Sequence, residues 1–270
     1  MQIIYMDESF DENEDIATLC ALIVPQELHQ LILDDYYSLN NIIYKKMFPD
    51  ETGINCKPIV FHGCEMLCKP KDKSKNYNQF LKSKAPDDII FVAFKGIVEI
   101  INKHNLKVVR FGYSNYKALY TSLKVEERDE SGNIVKSSDE KLNATNMFYM
   151  ARFFSKINNI ESIIIMDGTD SKMIGMLSGM FVTARAVESK IGKNKCVINP
   201  NLFLGNVFYT NIQYSEFIQL IDCIAFLLKK KGLFSNKSSN SSFQNELQEI
   251  AKTIKQELVT EEIVEIKISN

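Results

Sequence analysis

Apolar strands that end in carboxylates most restrict how this chain can fold. Residues 3–6 are apolar and run directly into Asp7 and Glu8, and the apolar run 163–166 is followed by Asp167. An ionised carboxylate in apolar surroundings is very costly unless it is paired or bound to a metal. We therefore expect the fold to bring a partner to these strand ends, and several acids sharing a divalent cation would meet that need.

Asp7 and Glu8 are neighbours in a strand, so their side chains point to opposite faces of the sheet. Asp7 shares its face with Ile3 and Tyr5. We expect Asp7 to be the direct ligand, with Glu8 as a second candidate because it can lie just beyond the strand. A solvated strand end would be the simpler interpretation if this acidic pair stood alone.

Two further acids, Asp167 and Asp222, lack a local explanation. Asp167 ends a strand that reads as buried on both faces, and ligands bind at the carboxyl ends of strands in α/β sheets. A helix cap is the alternative for Asp167, although Asp170 is better placed for that role. Asp222 lies in an apolar helix, and positions three and four residues away hold no cation. A distant Lys or Arg is the simpler partner for Asp222, but the other acids favour a metal.

The segment 61–65 adds Glu65 and His62 to the candidates. Gly63 permits a sharp turn before Glu65, and His62 is a possible base, ligand or structural hydrogen-bonding group. Zinc is the rival metal because four possible ligands lie close together, but their spacing does not match a paired Cys-x-x-Cys site. These four residues are Cys56, His62, Cys64 and Cys68.

Strands that alternate with helices after a leading hairpin predict helices packed on a mixed sheet, in an α/β or α+β arrangement. The hairpin pairs residues 3–8 with 17–24. Further strands are predicted at 106–113, 162–167 and 207–209, and helices at 28–43, 89–102, 143–156, 173–190, 214–230 and 243–258. We expect one domain over 1–232 with a polar excursion at about 124–141, a polar linker at 233–242, and a C-terminal helix and tail at 243–270.

Composition excludes several functional classes. A chain of 270 residues with 45% hydrophobic content can bury a sizeable core. The formal net charge of -2 leaves no strongly basic footprint, so any contact with nucleic acid would be local. Six scattered cysteines without a signal peptide indicate reduced thiols in a cytoplasmic protein. No apolar run reaches the roughly 18 residues that would suggest a membrane span.

Four segments in this order resemble the DUF3800 family, a bacterial and phage group considered to have a ribonuclease H-like fold. They are residues 5–9, residues 61–65, the strand that ends in Asp167, and the helical run 218–225. The resemblance spans roughly residues 3–230. It departs from the family pattern at Phe10, where the family has Gly, and at Ile221, where the family has Ala. It implies an α/β fold with a ribonuclease H-like mixed central sheet, helices on both faces, and helical and hairpin additions.

The resemblance also implies metal-dependent hydrolysis of phosphodiesters in RNA or DNA. Hard oxygen ligands suit Mg²⁺ or Mn²⁺, and two such ions can activate water and stabilise the leaving oxygen. The implied ligands are Asp7, Glu65, Asp167 and Asp222, with Glu8 and His62 as further catalytic candidates. A catalytically silent binding or regulatory module with this fold remains open. So does a phage-defence component that is active only with a partner protein.

Overall fold

The protein is described here by a computed structural model. The described residues are 1–11, 16–50, 59–63, 66, 85–114, 127–128, 134–135, 161–168, 189–191, 194–196, 207–233 and 242–265. The predicted helix 143–156 and most of the predicted helix 173–190 lie outside these ranges. Glu65 and the cysteines at 56, 64 and 68 also lie outside them.

Six strands form one mixed sheet. In chain order they are β1 (Gln2–Asp11), β2 (Ile16–Pro25), β3 (Lys107–Ser114), β6 (Ser162–Asp167), β9 (Phe208–Thr210) and β10 (Val259–Glu265). Two separate two-stranded ladders pair β4 (Glu127–Arg128) with β5 (Ile134–Val135), and β7 (Ser189–Ile191) with β8 (Asn194–Cys196).

The spatial order of the main sheet is β10-β3-β2-β1-β6-β9. β1, β2 and β3 are antiparallel neighbours, whereas β6 runs parallel to β1, and β9 runs parallel to β6. β10 is parallel to β3 at the other edge. The apolar strand β1 therefore lies inside the sheet, and its carboxyl end lies beside the carboxyl end of β6.

The central strands are buried on both faces along their apolar stretches, as the apolar run 3–6 of β1 leads one to expect. Ile4 and Met6 of β1 are fully buried on one face, and Tyr5 is 6% exposed on the other. The Tyr5 face carries the main hydrophobic core together with Leu22 and Val108 of the neighbouring strands. β6 is less uniform than its sequence indicates, because its side chains alternate between buried and half-buried.

Four described helices accompany the sheet: α1 (His29–Met47), α2 (Asp87–Lys103), α3 (Glu216–Leu233) and α4 (Ser242–Lys252). α3 packs on β1 and β2, and α2 contacts α1, α3 and α4. Phe217 of α3 stacks on Tyr5, with ring centroids 4.6 Å apart. α1 and α2 approach closely at Gly96, where an added Cβ would lie 2.4 Å from Leu39 Cδ1. This close approach explains a glycine in the middle of an otherwise apolar helix.

The mixed α/β architecture, the leading hairpin and most of the described elements were predicted correctly from the sequence. The last strand was not, because the predicted tail after the final helix contains β10, which joins the main sheet through β3. The predicted helix 173–190 ends too late, since residues 189–191 form β7. No helix in the described ranges is long and apolar enough to cross a membrane.

Candidate functional site

The acids of β1 and β6 lie side by side. These strands pair in parallel, with Ile3 opposite Ile163 and Met6 opposite Met166. The next positions in the same register are Asp7 and Asp167, so both carboxylates emerge on the Tyr5 face at the carboxyl ends of neighbouring strands. The sequence predicted that these two residues converge, and the structure brings them together.

Asp222 reaches the same place from α3. Its carboxyl group shares a hydrogen bond with that of Asp7, and Asp167 is close enough to act on it electrostatically. Burial raises the pKa of Asp222, and the charge of Asp167 adds to the rise. Opposing contributions come from His62, the Gly63 N–H and the bond to Asp7. Two carboxyl groups in hydrogen-bond contact need either a shared proton or a cation, because carboxylates only accept hydrogen bonds.

The backbone of the segment 59–63 completes one side of the cluster. Gly63 N–H donates to Asp222 Oδ2 at 2.5 Å, and His62 Nε2 lies 3.9 Å from Asp222 Oδ1. A Cβ on Gly63 would be 2.8 Å from Phe226 Cβ of the same helix, so the approach to α3 is too close for a larger residue. The His62 side chain is 25% exposed, which leaves it in contact with solvent as well as with the acids.

Asp167 is held by backbone donors on its other side. Ile212 N–H donates to Asp167 Oδ1 at 3.2 Å. Burial raises the pKa of Asp167, while N–H donation from Ile212 and Gly168 and the charge of His62 act in the opposite direction. His62 thus influences both Asp167 and Asp222. The cluster consists of three carboxyl groups, from the carboxyl ends of β1 and β6 and from α3, and one imidazole from the segment 59–63.

Two buried amides that were not singled out in the sequence hold the segment 59–63 in position. Asn40 of α1 donates to Ile59 C=O at 2.6 Å and accepts from Ile59 N–H at 3.0 Å. Gln219 of α3 accepts from Phe61 N–H at 2.8 Å and from the Tyr36 hydroxyl. These two amides supply hydrogen bonds to the backbone of the segment, as a neighbouring strand does in a sheet. A glutamine one turn before Asp222, on the buried face of an apolar helix, was the available signal.

Gln219 also connects the segment to the other side of the site. Its Nε2 donates to Ile212 C=O at 2.8 Å, and Ile212 N–H binds Asp167. The buried Gln219 side chain therefore holds the backbone on both sides of the carboxylates. It binds Phe61, close to the Gly63 contact with Asp222, and Ile212, which contacts Asp167.

A row of polar side chains continues from the acids across the sheet. Asp7 is opposite Cys20, Cys20 is opposite Arg110, and Arg110 is opposite Glu261. Burial raises the pKa of the Cys20 thiol to about 12, so this cysteine is a neutral neighbour of the site. Arg110 is only 6% exposed and forms an ion pair with Glu261. This buried cation pairs with a carboxylate of the last strand.

The remaining predicted site residues are placed as follows. The backbone of Glu8 belongs to β1, but its side chain lies outside the described structure, as does all of Glu65. In the described ranges, no group of three or more His, Cys, Asp or Glu side chains is arranged to hold a metal ion. Asp7, Asp167, Asp222 and His62 thus converge without forming a finished cage. Comparisons with protein-family models, curated proteins and solved structures found no match.

Proposed function

We propose that this chain is a metal-dependent phosphodiester hydrolase, a nuclease that uses its clustered carboxylates to hold divalent ions. The observation that carries the proposal is the convergence of Asp7, Asp167 and Asp222 from two parallel strands and a helix. Residues 7, 167 and 222 are far apart in sequence, yet their acids lie together at partly buried positions. Such like-charge clustering opposes folding unless a cation or proton offsets it.

The donor chemistry of the cluster fits a hard cation. Asp7, Asp167 and Asp222 offer only oxygen, which suits Mg²⁺ or Mn²⁺ better than softer metals. These three residues would hold the metal, and the family resemblance adds Glu65 to them. When bound, such ions activate an attacking water and stabilise the leaving oxygen of a phosphodiester.

The chain's own groups set the positions of these carboxylates. Gly63 N–H fixes one oxygen of Asp222, and Ile212 N–H fixes one oxygen of Asp167. Such N–H donors orient a metal-binding carboxylate through one of its oxygens and leave its second oxygen available for the metal. His62 faces both solvent and Asp222, so we assign it to moving a proton between the reaction site and water, and Glu8 remains a neighbouring candidate.

The fold is compatible with this assignment. A mixed sheet whose central parallel strands end in acids, covered by a helix carrying another acid, is what the resemblance to the DUF3800 family implies. We therefore propose a ribonuclease H-like fold and a nucleic acid substrate. The net charge of -2 means that substrate binding would depend on this site and its immediate surroundings.

Cleavage assays with matched variants test the proposal. Purified protein with Mn²⁺ is expected to cleave single-stranded, duplex or hybrid oligonucleotides, and Asp7→Asn and Asp222→Asn are each expected to reduce the rate by roughly 100-fold or more. Asp34→Asn, at an exposed position on α1, serves as the control and should retain full activity. An inactive wild-type protein whose melting temperature does not respond to Mn²⁺ would overturn the proposal.

One observation favours a second candidate, a silent binding or regulatory module. The described side chains form no complete metal cage, and such a module would need none. A folded wild-type protein that cleaves no substrate, with or without a rise of its melting temperature in Mn²⁺, would support it. Cleavage that disappears in Asp222→Asn would exclude it.

A further inference from the structure

Exposed aromatic side chains gather beside the acid cluster. In the described ranges, the exposed large hydrophobic residues include three aromatic ones: Tyr214, Phe208 and Tyr37, which are 80%, 53% and 44% exposed. Phe208 and Tyr214 flank the junction between β9 and α3. Tyr37 reaches the same junction from α1, where its hydroxyl donates to Glu216, the first residue of α3. Single exposed hydrophobic residues are ordinary on protein surfaces, but this grouping is not.

The strand register places Phe208 on the face that carries the acids. Phe208 is opposite Ile165, and Thr210 is opposite Asp167, in parallel pairing. Paired residues of parallel strands point to the same face, so Phe208 lies one strand over from Asp167 and two residues back. Among the described strands of the main sheet, β9 lies at the edge and pairs only with β6.

Tyr214 is tied to the acids through the backbone. Ile212 N–H binds Asp167, and Tyr214 follows two residues later, so its Cα lies within about 7 Å of the Ile212 Cα. Its 3-10 turn, Ile212–Tyr214, is closed by Tyr214 N–H to Asn211 C=O at 2.8 Å. The Asn211 side chain accepts from Gln213 N–H at 2.9 Å. These bonds hold the tyrosine in place beside the site.

The charge of the junction favours bases over phosphates. Glu216 accepts a hydrogen bond from the Tyr37 hydroxyl, and its charge would repel a phosphate. The exposed rings are accessible to the flat faces of nucleic-acid bases, which carry no charge. Stacking of a base on an aromatic side chain requires a base that is free of its own helix, which means a single strand.

We propose that Phe208, Tyr214 and Tyr37 form a stacking platform for the bases of single-stranded RNA or DNA. The sugar-phosphate backbone then passes over Asp7, Asp167 and Asp222. This inference rests on the proposed nuclease function and names the form of its substrate. The platform binds bases without regard to sequence, since every base has a face that can stack.

The absence of tryptophan from the chain supplies a direct test. Tyr214→Trp and Phe208→Trp each place one tryptophan on the platform. Leu31→Trp is the control on α1, because Leu31 is 53% exposed, as Phe208 is. Fluorescence is measured while oligothymidylate or oligouridylate is added in Ca²⁺, so that a hard cation offsets the charge of the three carboxylates, and gel electrophoresis checks that the oligonucleotide stays intact. We expect both nucleic acids to quench the two platform tryptophans and to leave the Leu31→Trp signal unchanged.

Affinity measurements on the natural aromatic residues complete the test. Tyr214→Ala is expected to weaken binding of the single strand by roughly 5- to 100-fold, while Tyr214→Phe retains it because the ring and not the hydroxyl makes the contact. A duplex of matched length should bind more weakly than the single strand at the same salt concentration.

The outcomes separate this inference from the nuclease proposal. Cleavage by the wild type, with no quenching and no loss of affinity in Tyr214→Ala, would refute the platform and leave the nuclease intact. Quenching without any metal-dependent cleavage would support the platform and count against the nuclease. Equal quenching in Leu31→Trp, or no response to either nucleic acid, would show that the rings do not bind bases and would point to a protein partner instead.

Discussion

Replacing Asp222 with asparagine is predicted to stabilise the metal-free protein while removing its response to metal. Asparagine keeps an oxygen for Gly63 N–H and offers an amide donor to Asp7, so the contacts of the site survive. The substitution removes one of the three carboxyl groups and therefore one negative charge from the cluster. Two unit charges about 4 Å apart at an effective dielectric constant near 20 interact by about 4 kcal/mol.

Part of that repulsion is already relieved in the wild type. His62, the Gly63 N–H and a proton shared by the two acids each offset some of it. We therefore expect Asp222→Asn to raise the free energy of unfolding in EDTA by about 1–2 kcal/mol, which corresponds to about 2–8 °C in melting temperature for a chain of this size. This gain is the opposite of what most substitutions at a buried position produce.

Mn²⁺ should make the wild type more stable than Asp222→Asn, which reverses the order expected in EDTA. At Mn²⁺ concentrations about 100-fold above the dissociation constant, the wild type gains about 2.7 kcal/mol, and the variant gains much less. Thermal unfolding in EDTA and in Mn²⁺, followed by circular dichroism, measures both effects. Asp34→Asn is the control and should shift neither curve. A variant that is less stable than the wild type in EDTA, or that gains as much from Mn²⁺, would refute the reasoning.

Three further predictions concern residues around the cluster. Gln219→Ala leaves buried donors and an acceptor unpaired, so it should lower the free energy of unfolding in urea by about 2–4 kcal/mol. Gly63→Ala should cost about 1–3 kcal/mol and reduce metal affinity, because its Cβ would lie 2.8 Å from Phe226 Cβ and push Gly63 N–H away from the carboxylate. Hydrogen bonds from Lys103 hold the pKa of Asp35 below its usual value of 3.8, so Asp35→Asn should destabilise the protein by about 1 kcal/mol at neutral pH.

The sign of the Asp35 effect follows from its lowered pKa. A depressed carboxyl pKa adds stability above the unfolded-state value, and that stability is lost as the pH falls through the folded-state value. The difference between wild type and Asp35→Asn should therefore vanish in acid. The neighbouring exposed Asp34 provides the matched variant. A difference that persists at low pH, or that grows there, would show that the contacts with Lys103 and His104 are not electrostatic in origin.

Apolar patterning explains why so much of the fold could be predicted from the sequence. β2 and the apolar parts of β1 and β6, residues 3–6 and 163–166, are continuous or nearly continuous apolar runs, and α2 repeats its apolar residues with helical spacing, so burial left a direct signal. β10 gave no such signal, because Val259–Glu265 contains three glutamates and, among the described strands, pairs with β3 alone. An edge strand needs fewer apolar residues, which makes it resemble a polar tail.

The candidate site was predictable to the extent that its acids lacked local partners. Asp222 stood out because the positions three and four residues away in its helix hold no cation, and its contact with Asp7 agrees with that reasoning. The burial of Gln219 in an apolar helix was a signal in the sequence, but its partners and those of Asn40 were not predictable, since both amides bind backbone groups of the segment 59–63, which is distant from each of them in sequence. The pairing of Arg110 with Glu261 likewise depends on a register that only the folded sheet defines.

The ion pair between Arg110 and Glu261 has a consequence for protein synthesis. Arg110 and Glu261 are separated by 151 residues, so a ribosome adding about 5–20 residues per second needs about 8–30 s to produce the second partner after the first. During that interval the nascent chain contains the strand that will bury a guanidinium group, but not the carboxylate that will neutralise it. The open edge of β3 is then also available for pairing with another chain.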